Sequence, residues 1–156
     1  MPSITPFLWF DDKAEEAMNF YTSIFKDSKV GSITRYGDAG PGPKGTVMSG
    51  TFQLNGQDFM ALNGGPHYTF TPAISFFVSC ETQEEVDELW EKLSEGGAKL
   101  QCGWLTDKFG LTWQIIPSVL VEMLGDKDAA KAQRVMQAML QMDKIDIKAL
   151  KQAAGQ

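Results

Sequence analysis

A single histidine and two cysteines are the most reactive side chains of this chain. His67 is the one side chain whose ordinary pKa lies near neutrality, and it follows a glycine-rich break that begins after Asn63. At the mouth of a binding cavity, such a histidine acts as a general base or donates a hydrogen bond to a ligand. On an open loop it is an ordinary surface residue, and the sequence leaves both interpretations open.

The cysteines show no pattern typical of nucleophilic catalysis. Cys102 precedes Gly103 and Trp104 at a short predicted strand, and no neighbouring base is visible that would generate a thiolate. A buried, unreactive thiol is the favoured interpretation, and contact with a ligand is the alternative. Cys80 is predicted to be a core residue or to start a helix. Two cysteines are too few to predict a disulfide framework.

The elements that position these residues occur in two copies. Residues 15–21 are echoed by residues 84–90, and residues 7–12 by residues 76–81, both at an offset of 69. Each copy is predicted to contain an apolar strand, an acidic cap and an amphipathic helix. A repeat of this length predicts two supersecondary units that bury a face against each other, with any site in the hollow that their sheets enclose.

The first module is predicted to cover about residues 3–63, as one strand, one helix and three more strands. Asp11 and Asp12 are the expected N-caps of its helix, which is predicted over about residues 13–25. The Asn55-Gly56 pair predicts a tight hairpin between its last two strands. The glycine- and proline-rich residues 37–45 are predicted to be a hairpin loop, and a mobile lid over the cavity is the alternative.

The second module is predicted over about residues 72–117 and has the same element order. Glu81 or Thr82 is the expected cap of its helix, which is predicted to end at Ser94. The tail, residues 118–156, is predicted to be helical over residues 126–142 and 145–153. One helical stripe is apolar and packs either on the protein's own sheet or across a dimer interface; it comprises Ala132, Val135, Met136, Met139 and Leu140.

Composition limits the classes of partner. The chain has 156 residues, is 43% hydrophobic and carries a formal net charge of -6, which is typical of one acidic domain with a real core. An acidic balance without Lys/Arg clusters argues against nucleic acid and against anionic membrane surfaces. No signal peptide and no apolar run long enough to span a membrane are visible, so a cytoplasmic protein is expected.

The repeated order of strand, helix and three strands resembles the vicinal oxygen chelate superfamily, which includes glyoxalases, bleomycin-resistance proteins and extradiol dioxygenases. Four segments resemble its PhnB-like branch, whose members often carry the label 3-demethylubiquinone-9 3-methyltransferase: residues 4–11, 61–66, 81–86 and 107–114. The resemblance spans about residues 3–150. It implies an α+β fold of two βαβββ modules (the glyoxalase-like fold) plus a C-terminal helical extension, a ligand site in each cup formed by a pair of modules, and a homodimer.

In the metal-using relatives, His and Glu side chains on inner strands hold a divalent ion. The resemblance locates the equivalent positions at Thr5, near Ala73, and at Gln114. No His, Asp, Glu or Cys occurs in residues 4–10 or 73–79. Thr, Ala and Gln side chains supply no charge to a divalent cation. We therefore predict that the chain uses neither a metal nor another cofactor.

The remaining candidate site is a mostly aromatic cup for a small apolar or partly aromatic ligand. Thr5, Phe7 and Trp9 are expected on one face of the first strand, because side chains alternate along a strand. The full set of predicted ligand-contacting residues is Thr5, Phe7, Trp9, Asn63, His67, Ser75, Phe77, Cys102, Trp104 and Gln114. The alternative is that these residues form a plain core.

The predicted function is metal-independent binding of a small molecule, in a sequestering or sensing role. The first alternative is a metal-dependent lyase, isomerase or dioxygenase whose metal is held by His67, Gln114 and others. The second is a methyltransferase, although the sequence has no Gly-x-Gly-x-Gly between a strand and a helix for a nucleotide-like methyl donor. A purely structural dimer is the last alternative.

Overall fold

The computed structural model describes all residues from 1 to 156 and divides the chain into two compact units, Met1–Phe70 and Thr71–Gln156. The elements of the first unit are β1 (Phe7–Phe10), α1 (Ala14–Ile24), β2 (Lys29–Arg35), β3 (Val47–Leu54) and β4 (Gln57–Asn63). Those of the second are β5 (Ser75–Cys80), α2 (Gln83–Ser94), β6 (Ala98–Lys99), β7 (Trp104–Thr106), β8 (Thr112–Pro117), α3 (Ser118–Leu124), α4 (Ala129–Met139) and α5 (Ile147–Ala153).

The two sheets have the same topology. Their strand orders are β1-β4-β3-β2 and β5-β8-β7-β6, and in each sheet the first strand pairs in parallel with the last. The predicted α+β fold of two βαβββ modules with a helical extension is therefore confirmed.

The helices begin at the expected offset of 69, at Ala14 and Gln83, but the strands correspond at an offset of 70. Phe7 of β1 therefore corresponds to Phe77 of β5. Each lies on the strand that pairs in parallel with the last strand of its sheet, opposite Met60 and Gln114 respectively, and each is about half exposed. The difference arises because three residues join β1 to α1 whereas two join β5 to α2. Thr5 consequently has Ser75 as its counterpart in the second module.

In the first unit, α1 packs on one face of the sheet. Met18 and Tyr21 are fully buried, and the Tyr21 ring stacks on Phe52, which stacks on Phe59. Burying each such side chain contributes about 1.5–3 kcal/mol. Because side chains alternate along a strand, residues between these positions lie on the opposite face, which we call the open face of the first sheet.

In the second unit, the buried side of α2 is formed by Val86, Trp90 and Leu93. The matching strand residues are Leu105 and Trp113, which lie opposite each other in register and are almost completely buried. The face on the other side of this sheet is its open face.

The Thr82 hydroxyl accepts a hydrogen bond from the backbone N–H of Glu85, which confirms Thr82 as the cap of α2.

The C-terminal extension packs within the second unit. A buried apolar cluster joins the end of β8 to α3, α4 and α5, and consists of Ile116, Leu120, Met123, Val135, Ile145, Leu150 and Ala154. Val135 from the predicted stripe lies in this cluster and Met139 packs against it, whereas Leu140 is half exposed. The helix predicted over residues 126–142 is shorter, and α3 was not predicted. None of the helices combines the length and the apolar character needed to cross a membrane.

Candidate functional site

The open face of the first sheet carries aromatic and polar side chains in register. Phe7 and Trp9 of β1 lie beside Met60 and Leu62 of β4. A cavity of about 410 Å³ adjoins this face and is lined by Thr5, Lys29, Thr51, Gln53, Asp58 and Met60, among others. The Gln53 side-chain amide donates a hydrogen bond of 2.6 Å to the Asp58 carboxylate. The structure thus brings Thr5 to a cavity and places Phe7 and Trp9 on the predicted common face.

Trp9 is fixed by the break that follows β4. Its indole N–H donates a hydrogen bond of 2.9 Å to the carbonyl of Gly65, and the Tyr68 ring meets it edge-on at 5.0 Å between centroids. The indole also lies directly against the backbone of Gly64, where an added Cβ would be 2.3 Å from Cζ2. Glycine is required at position 64 because the indole already occupies the space of a side chain.

A second cavity, of about 620 Å³, lies where β1 and β4 end. Its lining includes Asp11, Asp12, Tyr36, Pro41, Asn63 and His67. We call it the His67 cavity. The structure therefore brings two predicted site residues, Asn63 and His67, to one cavity, and adds two carboxylates and a tyrosine that were not among the predicted ligand-contacting residues.

Asn63 connects three elements around this cavity. Its side-chain oxygen accepts a hydrogen bond of 2.8 Å from the backbone N–H of Ala14, at the start of α1, and its amide donates to the carbonyl of Val47. The prediction that Asp11 and Asp12 cap α1 is wrong: Lys13 holds the cap position without a side-chain hydrogen bond. The cap comes from Asn63 instead, because β4 ends beside the start of α1.

The open face of the second sheet brings four predicted site residues together. Gln114 of β8 lies opposite Phe77 of β5 on one side and opposite Trp104 of β7 on the other. The Gln114 amide donates a hydrogen bond of 2.9 Å to the Ser75 hydroxyl. Beside them, the hydroxyl of Thr112 is buried without a hydrogen-bond partner, and Thr112 pairs in register with Ser75.

Cys102 does not lie on a strand, contrary to the sequence prediction. It occupies the turn between β6 and β7 with a φ of 58°, and its thiol donates a weak hydrogen bond to the carbonyl of Met139 at 3.7 Å. Its contacts tie it to the end of α4. The turn also explains why β6 ends at Lys99.

Cys80 is buried at the end of β5, as predicted. Burial, together with the nearby carboxylates of Glu85 and Glu81, raises the pKa of its thiol to about 11. A thiol with such a pKa carries almost no thiolate at neutral pH and is a poor nucleophile.

The residues at the positions where the resemblance implies a metal do not fit a divalent ion. Thr5 and Gln114 offer neutral oxygens, Ala73 offers none, and the Gln114 amide is engaged with Ser75. No three His, Cys, Asp or Glu side chains converge anywhere in the structure. The glycine-rich residues 37–45 join β2 to β3, so they do not form a nucleotide-binding turn between a strand and a helix.

Sequence reasoning missed several lining residues whose positions follow from strand pairing. The Asn55-Gly56 hairpin sets the register of β3 against β4, and this register places Gln53 opposite Asp58. The hairpin signal alone could therefore have located this polar pair. Lys29 and Tyr36 had no comparable signal, because the irregular pairing of β2 with β3 controls their positions.

Comparison with known proteins identifies the family. The family model for 3-demethylubiquinone-9 3-methyltransferase matches residues 2–116. A solved PhnB protein from Bacillus cereus is 48% identical, covers 75% of this chain and 100% of its own, and superimposes with a TM-score of 0.70. No curated protein matches the chain.

More distant structures share the fold alone. A protein from Pseudomonas aeruginosa is 22% identical over 75% of this chain and 98% of its own, with a TM-score of 0.63. The fosfomycin resistance protein FosX from Listeria monocytogenes is 16% identical over 78% of this chain and 97% of its own, with a TM-score of 0.54. The family model and the 48% identical PhnB protein show that this chain belongs to the PhnB-like, 3-demethylubiquinone-9 3-methyltransferase family.

Proposed function

We propose that this protein binds a small organic molecule on the open faces of its sheets without a divalent metal ion. The observation that carries the proposal is the hydrogen bond from the Gln114 amide to the Ser75 hydroxyl. The resemblance to metal-using relatives implies a glutamate at this position of the last strand. A neutral amide paired with a hydroxyl can hydrogen-bond to a ligand, but it contributes no negative charge to a cation.

The surroundings of this pair support a ligand that is largely apolar with one or two polar atoms. Phe77 and Phe7 expose 53% and 52% of their surface on the two open faces, and Trp104 lies beside Gln114. Removing aromatic surface of this kind from water lowers the free energy of the complex and therefore favours ligand binding.

A thermal-shift screen of small molecules, run with and without excess EDTA, tests the proposal. A ligand present at about one hundred times its Kd adds about 2.7 kcal/mol to stability, which gives a clear rise in Tm. We expect hits whose Tm shift is the same in EDTA and is lost in Gln114→Ala. The matched control is Gln133→Ala, which removes an equivalent amide from the exposed side of α4.

One result would refute metal-free binding, and two others would change the role or the location of the ligand. Hits that disappear in EDTA would show that a metal takes part in binding, and would support a metal-dependent enzyme of the superfamily. Saturable binding of S-adenosylmethionine would support the methyl transfer that the family label names. If the Gln114→Ala and Gln133→Ala variants bind every hit equally, the ligand does not contact Gln114 and its site is not on the second sheet.

We also propose that the protein is a cytoplasmic homodimer. Both cysteines are free, which is compatible with a reducing compartment. Sedimentation velocity gives the subunit number, and a monomer at micromolar concentration would contradict the dimer. Cell fractionation tests the location, which would be wrong if the protein were recovered outside the cytoplasmic fraction.

A further inference from the structure

Residues 37–44 form one wall of the His67 cavity. They join β2 to β3, and Pro41, Gly42 and Pro43 from this segment line the cavity together with His67. A change in the position of the segment would therefore change access to the cavity.

Tyr36 holds this segment through two separate interactions. Its hydroxyl donates a hydrogen bond of 2.6 Å to the backbone carbonyl of Asn63, the last residue of β4. Its buried ring lies against the backbone of the segment: an added Cβ would be 2.4 Å from ring carbon Cε2 at Gly42 and 2.5 Å from Cδ1 at Gly40. The ring thus occupies the space that side chains at both glycines would need.

The base of the segment is held differently from its tip. Backbone hydrogen bonds of 2.8 Å join the N–H of Tyr36 to the carbonyl of Thr46 and the N–H of Gly45 to the carbonyl of Tyr36. Next to the base, the ion pair between Lys44 and Asp38 is highly exposed, so water and salt screen it. The base can therefore act as a hinge while the Tyr36 ring holds the tip.

We propose that residues 37–44 are a lid on the His67 cavity and that Tyr36 is the latch of this lid. In the closed state both Tyr36 interactions are made, and Val47, which lines the cavity, is only 5% exposed. In the open state both interactions are lost and Val47 becomes accessible to reagents. The ligand-free protein moves between these states, so the test does not depend on whether a small molecule binds.

Lid opening can be measured by the rate at which a thiol introduced by Val47→Cys reacts with a maleimide. The background is Cys102→Ser, because Cys102 is partly accessible whereas Cys80 is buried. Adding Gly42→Ala pushes a methyl group into the Tyr36 ring at a backbone conformation that alanine can adopt. We expect labelling to become about tenfold faster, the factor that corresponds to about 1.4 kcal/mol of overpacking.

The matched control is Gly37→Ala in the same background. A Cβ at this glycine meets nothing within 4 Å, so labelling should stay at the parent rate. Tyr36→Phe removes the hydroxyl and keeps the ring, and we expect labelling about two- to tenfold faster from the loss of one hydrogen bond.

Three outcomes would contradict the proposal that residues 37–44 are a lid. One is equal labelling in Gly42→Ala and Gly37→Ala, and another is an unchanged rate in Tyr36→Phe. The third is faster labelling accompanied by loss of protection in the first unit, measured as faster amide hydrogen exchange of the buried α1 and β3 in the same variant, because unfolding of that unit would also expose position 47. Faster labelling at position 47 with unchanged exchange in α1 and β3 supports a local opening.

Discussion

The side-chain oxygen of Asn63 accepts a hydrogen bond from the backbone N–H of Ala14, 49 residues earlier in the chain. The first helix of this protein is therefore capped by the last residue of a strand, whereas the second is capped locally by Thr82. Because Asn63 also bonds to Val47 and its carbonyl accepts from Tyr36, one residue fixes the start of α1, the start of β3 and the end of β2.

We expect Asn63→Ala to destabilise the protein by about 1–2 kcal/mol, the usual effect of losing a helix cap. Urea unfolding measures this loss. The matched control is Asn19→Ala on the exposed side of α1, which should change stability little because no side-chain hydrogen bond is lost there. Equal unfolding midpoints for the two variants would contradict the capping role.

Gly64→Ala should displace the Trp9 indole, because the new Cβ would lie 2.3 Å from ring carbon Cζ2. Overpacking of this kind costs about 1–3 kcal/mol and would break the indole's hydrogen bond to Gly65. Gly125→Ala is the control, since a Cβ there makes ordinary contacts at 3.6 Å. A melting temperature lowered equally by both changes would argue against close packing at Gly64.

Stability should fall in alkali through the titration of Cys80. Its folded pKa is raised from 9.0 to about 11, so the folded state holds the thiol proton more tightly than the unfolded state does. The stabilisation is complete below pH 9 and is lost as pH rises from 9 to 11, by about 2–3 kcal/mol in total. Cys80→Ala should remove this part of the pH dependence, and parallel stability–pH curves for wild type and variant would show the expectation to be wrong.

The sequence predicted the features whose signals are local. The repeat, the Asn55-Gly56 hairpin and the Thr82 cap all depend on neighbouring residues, and the structure confirms each of them. The side chains of Phe7 and Trp9 share a face, as strand alternation predicted.

The features that sequence reasoning missed depend on distant contacts. The Asn63 cap requires β4 to end beside α1, and the turn that holds Cys102 is bonded to Met139, Met142 and Asp143 in the tail. Leu120 of helix α3 is buried in the cluster that includes Val135 of α4 and Leu150 of α5. No local pattern encodes these contacts, because each joins segments that are far apart in the chain.

Native mass spectrometry of gently purified, untagged protein, before and after dialysis against EDTA, tests metal-independent ligand binding most directly. It reports bound organic mass, bound metal and subunit number in one spectrum. We expect a dimer that keeps a co-purified or added small molecule after EDTA and carries no metal. One metal ion per chain that survives ordinary dialysis, with ligand lost when EDTA removes it, would contradict the metal-free role assigned to Gln114 and Ser75.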